Sequence, residues 1–326
     1  MHTDIGTLEP NQLVDDVYLV RECQLRPTKN GKHYLHVGLT DKTGQILARL
    51  WNATEALFRA LAGASFVHVQ GRVEVYQDSL QLNLNTIRVE PAGNVRVEDF
   101  LPATTKDVEA MWARLLELAA TVKNAHLARL LGDVLGDEAL AAKFRKAPAA
   151  TSYHQPWLGG LLEHTLAVVE LADLVAQRYP RLDRDLFLTG AILHDLGKVD
   201  ELGYAKGFDY TDRGKLIGHL IIAVGMLQDY ARKIEGFPPH LFDLLSHLIL
   251  SHHGEYEFGS PKLPMTAEAI ALHHLDNLDA KVEASTRAIE SDRMAEGNWT
   301  EFSRMFQRQL YRGPRSEGSP REEPVD

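Results

Sequence analysis

A single change in hydrophobic period, at Pro91-Ala92-Gly93, divides this chain into two parts that cannot share one architecture. Before the break, apolar and polar residues alternate with period two, as half-buried strands require. Tyr34 and His36, for instance, alternate with Leu35 and Val37. Strand-like runs occupy 17–23, 33–40, 46–51, 66–76 and 80–89, with turn signals at Asn30-Gly31, Thr43-Gly44 and Gln77-Asp78. Thr54 is a suitable N-cap for one short helix, 55–61, which Gly63 ends. Three strands, a helix and two strands follow the order of a five-stranded OB barrel, which a small SH3-like barrel also fits.

After the break, residues 93–105 read as a linker containing Pro102, and from Lys106 the apolar spacing becomes helical. Val108, Met111, Trp112, Leu115, Leu116 and Leu118 recur at i, i+3 and i+4. The same pattern predicts helices at 106–123, 124–132, 137–146, 160–178, 184–195, 215–233, 239–252, 266–295 and 299–311. The expected fold class is therefore multidomain: an all-β OB barrel over 1–92, followed by an all-α helical bundle over 106–312. The polar segment 313–326, with three prolines, is expected to be disordered.

Composition narrows the chemistry. Cys23 is the only cysteine, which excludes a disulfide framework and a thiolate zinc site. No basic-then-apolar leader and no apolar run of roughly 18 residues is visible, so a cytoplasmic protein without a membrane partner is expected. Ten of the 15 histidines fall between His154 and His274. His164, His194-Asp195, His219, His252-His253 and Asp276 stand on five separate predicted helices. Facing helices of a bundle build metal sites from such side chains. Imidazole with carboxylate and no thiolate favours Mn, Fe, Co, Ni, Mg or catalytic Zn. The helix before Asp195 is apolar, and a buried carboxylate needs a partner or a metal. His126, His240 and His247, lone on their helices, read instead as hydrogen-bonded core residues.

The order His164, His194-Asp195, Asp276 resembles the H…HD…D signature of HD-superfamily metal-dependent phosphohydrolases. His219 and His252-His253 resemble the additional ligands of its two-metal members; the GYP half of the HD-GYP phosphodiesterases is absent. TKNGKHYLHVGLTDKTGQILARLW, HQPWLGGLLEHT, AILHDLGK, SHHGEYEFGSPKLPMTAEAI and LDNLDAKV, in that order over 5–310, resemble the YhaM-type 3′-5′ exoribonucleases. The resemblance implies an HD domain over 106–312 and two divalent ions, manganese foremost. One ion would take His164, His194, Asp195 and Asp276, and the other His219, His252 and His253, with Asp195 bridging. It further implies hydrolysis of single-stranded RNA to nucleoside 5′-monophosphates by a hydroxide activated between the ions, with single-stranded DNA left open as a substrate.

Other residues are candidates for substrate contacts. Lys198 could hold a phosphate oxygen or be a solvated helix-end lysine. Arg145 and His154 precede the first ligand, Trp157 could stack on a base or lie in the core, and Gly159-Gly160 could bring amides to a phosphate. The resembled family carries two adjacent histidines where this chain has His154-Gln155. In the barrel, Lys29, Lys32, Arg49 and Arg72 interleave with Tyr34, Trp51 and Tyr76, a pattern suited to single strands. The formal charge of −10 opposes phosphate binding, but residues 1–92 carry only one of those net negative charges. Two rival readings remain at this point: a phosphohydrolase of small nucleotides whose barrel serves assembly into a homo-oligomer, and a non-catalytic OB-fold nucleic-acid-binding protein.

Overall fold

The computed structural model describes residues 2–314 apart from 29, 62, 78, 152–154, 205–206 and 293–296. Five strands close a barrel in the order β1-β2-β3-β5-β4: β1 Leu13–Pro27, β2 His33–Thr40, β3 Gln45–Trp51, β4 Phe66–Tyr76 and β5 Ser79–Glu90. All neighbours are antiparallel except β3 and β5, which run parallel, and α1, Glu55–Leu61, lies in the connection between β3 and β4. This is the OB topology, and the strands coincide with the alternating runs to within a few residues. Thr54 accepts from the Leu57 amide at the start of α1, as its position suggested.

The alternation places Leu35, Val37, Leu39, Ala48, Val67, Val69, Val73 and Leu82 inside, each at most 1% exposed. At Gln70/Gly71 the β4–β5 register shifts, and a Cβ on Gly71 would stand 2.4 Å from the Asn83 carbonyl oxygen. Only glycine tolerates that approach.

The second part is helical: α2 Val108–Ala120, α3 Ala125–Leu135, α4 Glu138–Lys146, α5 Gly160–Arg178, α6 Arg184–Leu193, α7 Lys198–Glu201, α8 Asp212–Ile217, α9 His219–Ala231, α10 Pro239–Ser251 and α11 Ala267–Ser291. Asp107, Asn124, Asp137, Asp183, Thr211 and Thr266 cap six of these by accepting first-turn amides. Helix α5 is buried along most of its length between α2, α6 and α11, so whatever its inner face carries is shielded from water.

Four details depart from the sequence expectations. The helix expected over 215–233 breaks at Gly218, whose φ of 77° and ψ of 155° end α8 and turn the chain into α9. A two-stranded ribbon, β6 Leu202–Gly203 with β7 Asp209–Tyr210, interrupts the expected all-α part. Residues 299–311 form no helix: Trp299 pairs with Tyr311 and Ser303 with Arg308 in hairpin fashion. Their apolar side chains recur at near-helical spacing, but Trp299, Phe302, Met305 and Tyr311 are all exposed, so a helix there would have no face to bury. The fourth concerns residues 93–105, which are not free chain. Phe100 and Leu101 are buried with Leu158 against Leu19 and Phe66 of the barrel, joining the two parts through an apolar cluster. Residues 315–326, where disorder was expected, lie outside the described residues. Among the described residues no helix is long and apolar enough to cross a membrane.

Candidate metal centre

Five imidazoles and two carboxylates from five segments meet in the helical part. His164 projects from the buried face of α5, and Asp276 from α11. His194-Asp195 follows α6 directly, His219 opens α9, and His252-His253 follows α10. Two glycines let these segments close on one another. A Cβ on Gly197 would lie 2.1 Å from the His219 carbonyl oxygen, and one on Gly254 would collide with the His273 ring.

The centre has two halves arranged about Asp195, which is 1% exposed. Oδ2 of Asp195 lies 3.5 Å from Nε2 of His164 and 3.4 Å from Nε2 of His194; Asp276 Oδ1 is 3.1 Å from the same His164 nitrogen. Oδ1 of Asp195 faces the other way, 3.5 Å from Nε2 of His219 and 3.6 Å from Nε2 of His252. His219, His252 and His253 offer nitrogens within 4.8 Å of one another, as do the ligand atoms of His164, His194 and Asp276. Metal bonds of about 2.1 Å at right angles separate neighbouring ligand atoms by roughly 3 Å, so both halves have the right dimensions.

Ring orientation makes the chemistry sharper. Nδ1 of His194 donates to the Ala191 carbonyl, that of His252 to Ile249 and that of His253 to Phe258. Nδ1 of His164 meets Asp279 Oδ2 at 2.7 Å, and Nδ1 of His219 meets Glu201 Oε2 at 2.9 Å. With every Nδ1 hydrogen committed outward, the Nε2 lone pairs point at the centre. Nε2 of His164 and His194 are only 3.3 Å apart, while Nε2 of His219 and both oxygens of Asp195 lack a hydrogen-bond donor. Lys198 Nζ, 2.7 Å from Asp195 Oδ2, is an ion-pair contact whose geometry falls short of a hydrogen bond. Buried lone pairs facing one another are costly unless a proton, as on His164 in the metal-free chain, or metal cations stand between them. The donor set therefore fits divalent metal ions.

Titration behaviour follows from the same arrangement. Burial alone would depress His164, but hydrogen bonds to Asp276 and Asp279 outweigh it and push the ring up to about 9. Burial would raise Asp195, yet Lys198 and His194 hold it well below the usual carboxylate range. Burial also opposes the ionisation of Asp276, and the His164 hydrogen bond lowers it nonetheless. His252 is pushed down by burial and by the His194 and His253 rings, and His253 by burial and His219. Burial opposes the charge of Lys198 too, but Asp195 raises it.

The other sequence candidates are distributed as follows. Lys198 is buried with its ammonium against Asp195 at the centre, so it is not the solvated helix-end lysine that the sequence also allowed. Arg145 pairs with Glu109 and lies over Trp112, which ties α4 to α2. Trp157 donates to Glu163 at 3.0 Å with Arg287 over its ring. The amides of Gly159 and Gly160 donate to the carbonyls of Lys146 and Trp157; the pair serves packing, since a Cβ on Gly160 would meet the Gln155 carbonyl at 2.2 Å. His154 and Lys29 lie outside the described residues. Of the three histidines read as core, His247 accepts the Met265 amide and His126 packs on Phe237, but His240 at the start of α10 is exposed.

On the barrel, Tyr34 and Trp51 are cross-strand neighbours 5.1 Å apart, and the Arg49 guanidinium lies 4.8 Å from the Tyr76 ring and 6.0 Å from Tyr34. The register places Arg49 beside Asn83 and Asn83 beside Arg72, so all stand on one outer face. Arg72 also reaches the Asn11 carbonyl, and Lys32 is exposed in the β1–β2 turn. Sequence reasoning missed Glu201, Asp279 and Glu163. Asp279 had one signal: it lies three residues after Asp276, on the same helical face.

Residues 161–281 match the HD domain family. Over 302 residues the chain is 38% identical to the 3′-5′ exoribonuclease YhaM of Geobacillus sp. (strain WCH70), covering 92% of this chain and 90% of that protein. It is likewise 38% identical to the 3′-5′ exoribonuclease YhaM of Bacillus subtilis (strain 168), over 90% of this chain and 92% of the relative.

Proposed function

Because the chain belongs to the YhaM family of 3′-5′ exoribonucleases, we propose that it is a two-ion nuclease that shortens single-stranded RNA from the 3′ end and releases nucleoside 5′-monophosphates. The observation that carries this reading is Asp195, a buried carboxylate whose two oxygens each face a separate group of imidazoles. His164, His194, Asp276 and Oδ2 of Asp195 would hold one ion; His219, His252, His253 and Oδ1 of Asp195 would hold the other. Bound there, divalent ions would lower the pKa of water and neutralise charge on phosphoryl oxygens, with manganese the foremost candidate on the family resemblance and Fe, Co, Ni, Mg or Zn compatible with the same donors.

The chain's own groups prepare that chemistry. Lys198 offsets part of the Asp195 charge from within hydrogen-bond range, so the carboxylate stays ionised despite burial. Fixed Nδ1 partners keep all five rings in the tautomer that can ligate. On the barrel, Tyr34, Trp51, Tyr76 and Arg49 make a cationic aromatic face on which bases of the strand would stack.

Metal analysis of the purified chain, paired with a 5′-labelled single-stranded RNA, tests the reading. Two ions per chain and a ladder that shortens stepwise to mononucleotides are expected, with single-stranded DNA run alongside. Cleavage of a circular RNA, or turnover of free nucleotides alone, would replace the exonuclease reading.

A further inference from the structure

We propose that Asp279 and Glu201 are positioning residues, each fixing one imidazole for a different one of the two ions. Three of the five ring orientations are set by neutral backbone carbonyls: His194 by Ala191, His252 by Ile249 and His253 by Phe258. The remaining two are set by carboxylates, and these are divided one to each half of the centre. Asp279 Oδ2 meets Nδ1 of His164 at 2.7 Å, and Glu201 meets Nδ1 of His219 at 2.9 Å through Oε2 and 3.1 Å through Oε1.

Local structure explains why these two positions carry the charge. Asp276 and Asp279 are a turn apart on α11, so one helix grips both sides of the same ring: Asp276 at Nε2, 3.1 Å away, and Asp279 at Nδ1. His164 lies within α5, where its own backbone groups are bonded along the helix, and a partner must come from elsewhere. His219 has the opposite problem. It opens α9, and Gly218 before it has no side chain with which to cap the helix. Glu201 Oε1 accepts the His219 amide at 2.9 Å as well as the ring, so one carboxylate caps the helix and orients the ligand. A full negative charge on Nδ1–H makes the opposite nitrogen a stronger ligand than a carbonyl does, and losing such a partner typically weakens metal binding about 10- to 100-fold.

The inference rests on the two-ion reading above, and the experiment separates their failures. Asp279→Asn, Asp279→Ala, Glu201→Gln, Glu201→Ala and the double amide variant are made in the full chain. Each is titrated with Mn²⁺ against a competing chelator, and the chelator-treated proteins are unfolded thermally. Asp279→Asn should weaken one of the two binding steps by about 10- to 100-fold and leave the other within about twofold, and Glu201→Gln should do the reverse. The alanine variants should be weaker still, and the double variant should weaken both steps. The amides keep the shape and can still accept a hydrogen bond, so the chelator-treated amide variants should unfold near the wild-type temperature. A packing role alone predicts wild-type affinity in both amides, and that result overturns the proposal. Equal weakening of both steps by either single amide overturns the assignment of one carboxylate to each ion. A wild-type chain that binds fewer than two ions overturns the two-ion reading and this inference with it.

Discussion

Ion binding in the His164 half of the centre should be coupled to one proton, and binding in the His219 half should not draw on His252 or His253. Without metal, the His164 imidazole is held at about 9 by Asp276 and Asp279 against its burial, so at pH 7 it carries a proton that a ligand cannot keep. The apparent association constant for that ion should fall about tenfold for each pH unit below 9, or about 100-fold from pH 9 to pH 7, equivalent to about 2.7 kcal/mol. Asp195 and Asp276 are already ionised throughout this window, and His252 and His253 are already neutral, so none of them adds to the slope. The assay is calorimetric Mn²⁺ titration at pH 7 in two buffers of different ionisation enthalpy, with chelator competition from pH 6.5 to 9. About one proton should leave with one of the ions. The metal-free chain gives a check of sign. A pKa raised above the unfolded value near 6.5 contributes stability below that pH and loses it as the pH rises through about 9. Chelator-treated protein should therefore become less stable between pH 7 and pH 9, and saturating metal should remove the trend. Affinity that is flat with pH for both ions would show that His164 is not a ligand, or is not the proton carrier described.

Asp195→Asn should abolish hydrolysis and lower the bound metal while leaving the helical circular dichroism intact; normal activity would sink the bridging role. Gly197→Ala places a Cβ 2.1 Å from the His219 carbonyl, so α9 must move; stability should fall by about 1–3 kcal/mol and one ion should be lost, and an unchanged melting temperature and metal content would contradict this. Trp51→Ala should weaken single-stranded RNA binding by about 1–3 kcal/mol at every salt concentration. Arg49→Ala and Arg72→Ala should each reduce the slope of log K against log salt by about 0.7, and unchanged slopes would remove the barrel face from the RNA path. Point substitutions are preferable to deleting 1–92, because Leu19 and Phe66 of the barrel cover Phe100, Leu101 and Leu158.

The parts of the molecule that could be read from the residues are those where one physical demand dominates. Alternation in 66–76 leaves a strand little choice of face, and histidines and carboxylates spread over five apolar helices have few ways to be buried except together. Where two demands share one pattern, the sequence misleads. Leu216, Ile217, Leu220 and Ile221 look like one continuous helix, yet the break at Gly218 is what aims His219 inward. Residues 299–311 have helical spacing without a core to receive it. Sequence reasoning passed over Glu201 and Asp279, and the contacts of their carboxylates with His219 and His164 are what single them out. The direction of a side chain, unlike its type, is a tertiary property.

Charge connects the centre to the acidity of the whole chain. Asp195, Asp276, Asp279 and Glu201 bring four carboxylates to one partly desolvated site, and Lys198 answers one of them. Three uncompensated charges in such a site would be expensive, since burial costs each ion several kcal/mol that only close partners repay. Protonation of His164 relieves part of this in the metal-free chain, which is why that ring holds its proton so strongly. Two divalent ions would overbalance it, turning a negative site in a chain of formal charge −10 into a locally positive one. On the two-ion reading, an acidic protein would then attract a phosphodiester to that site. On the proposed reading, the near-neutral barrel would hold the rest of the strand by stacking and a few cations, and salt should weaken that hold more than the grip of two bound ions on a phosphate.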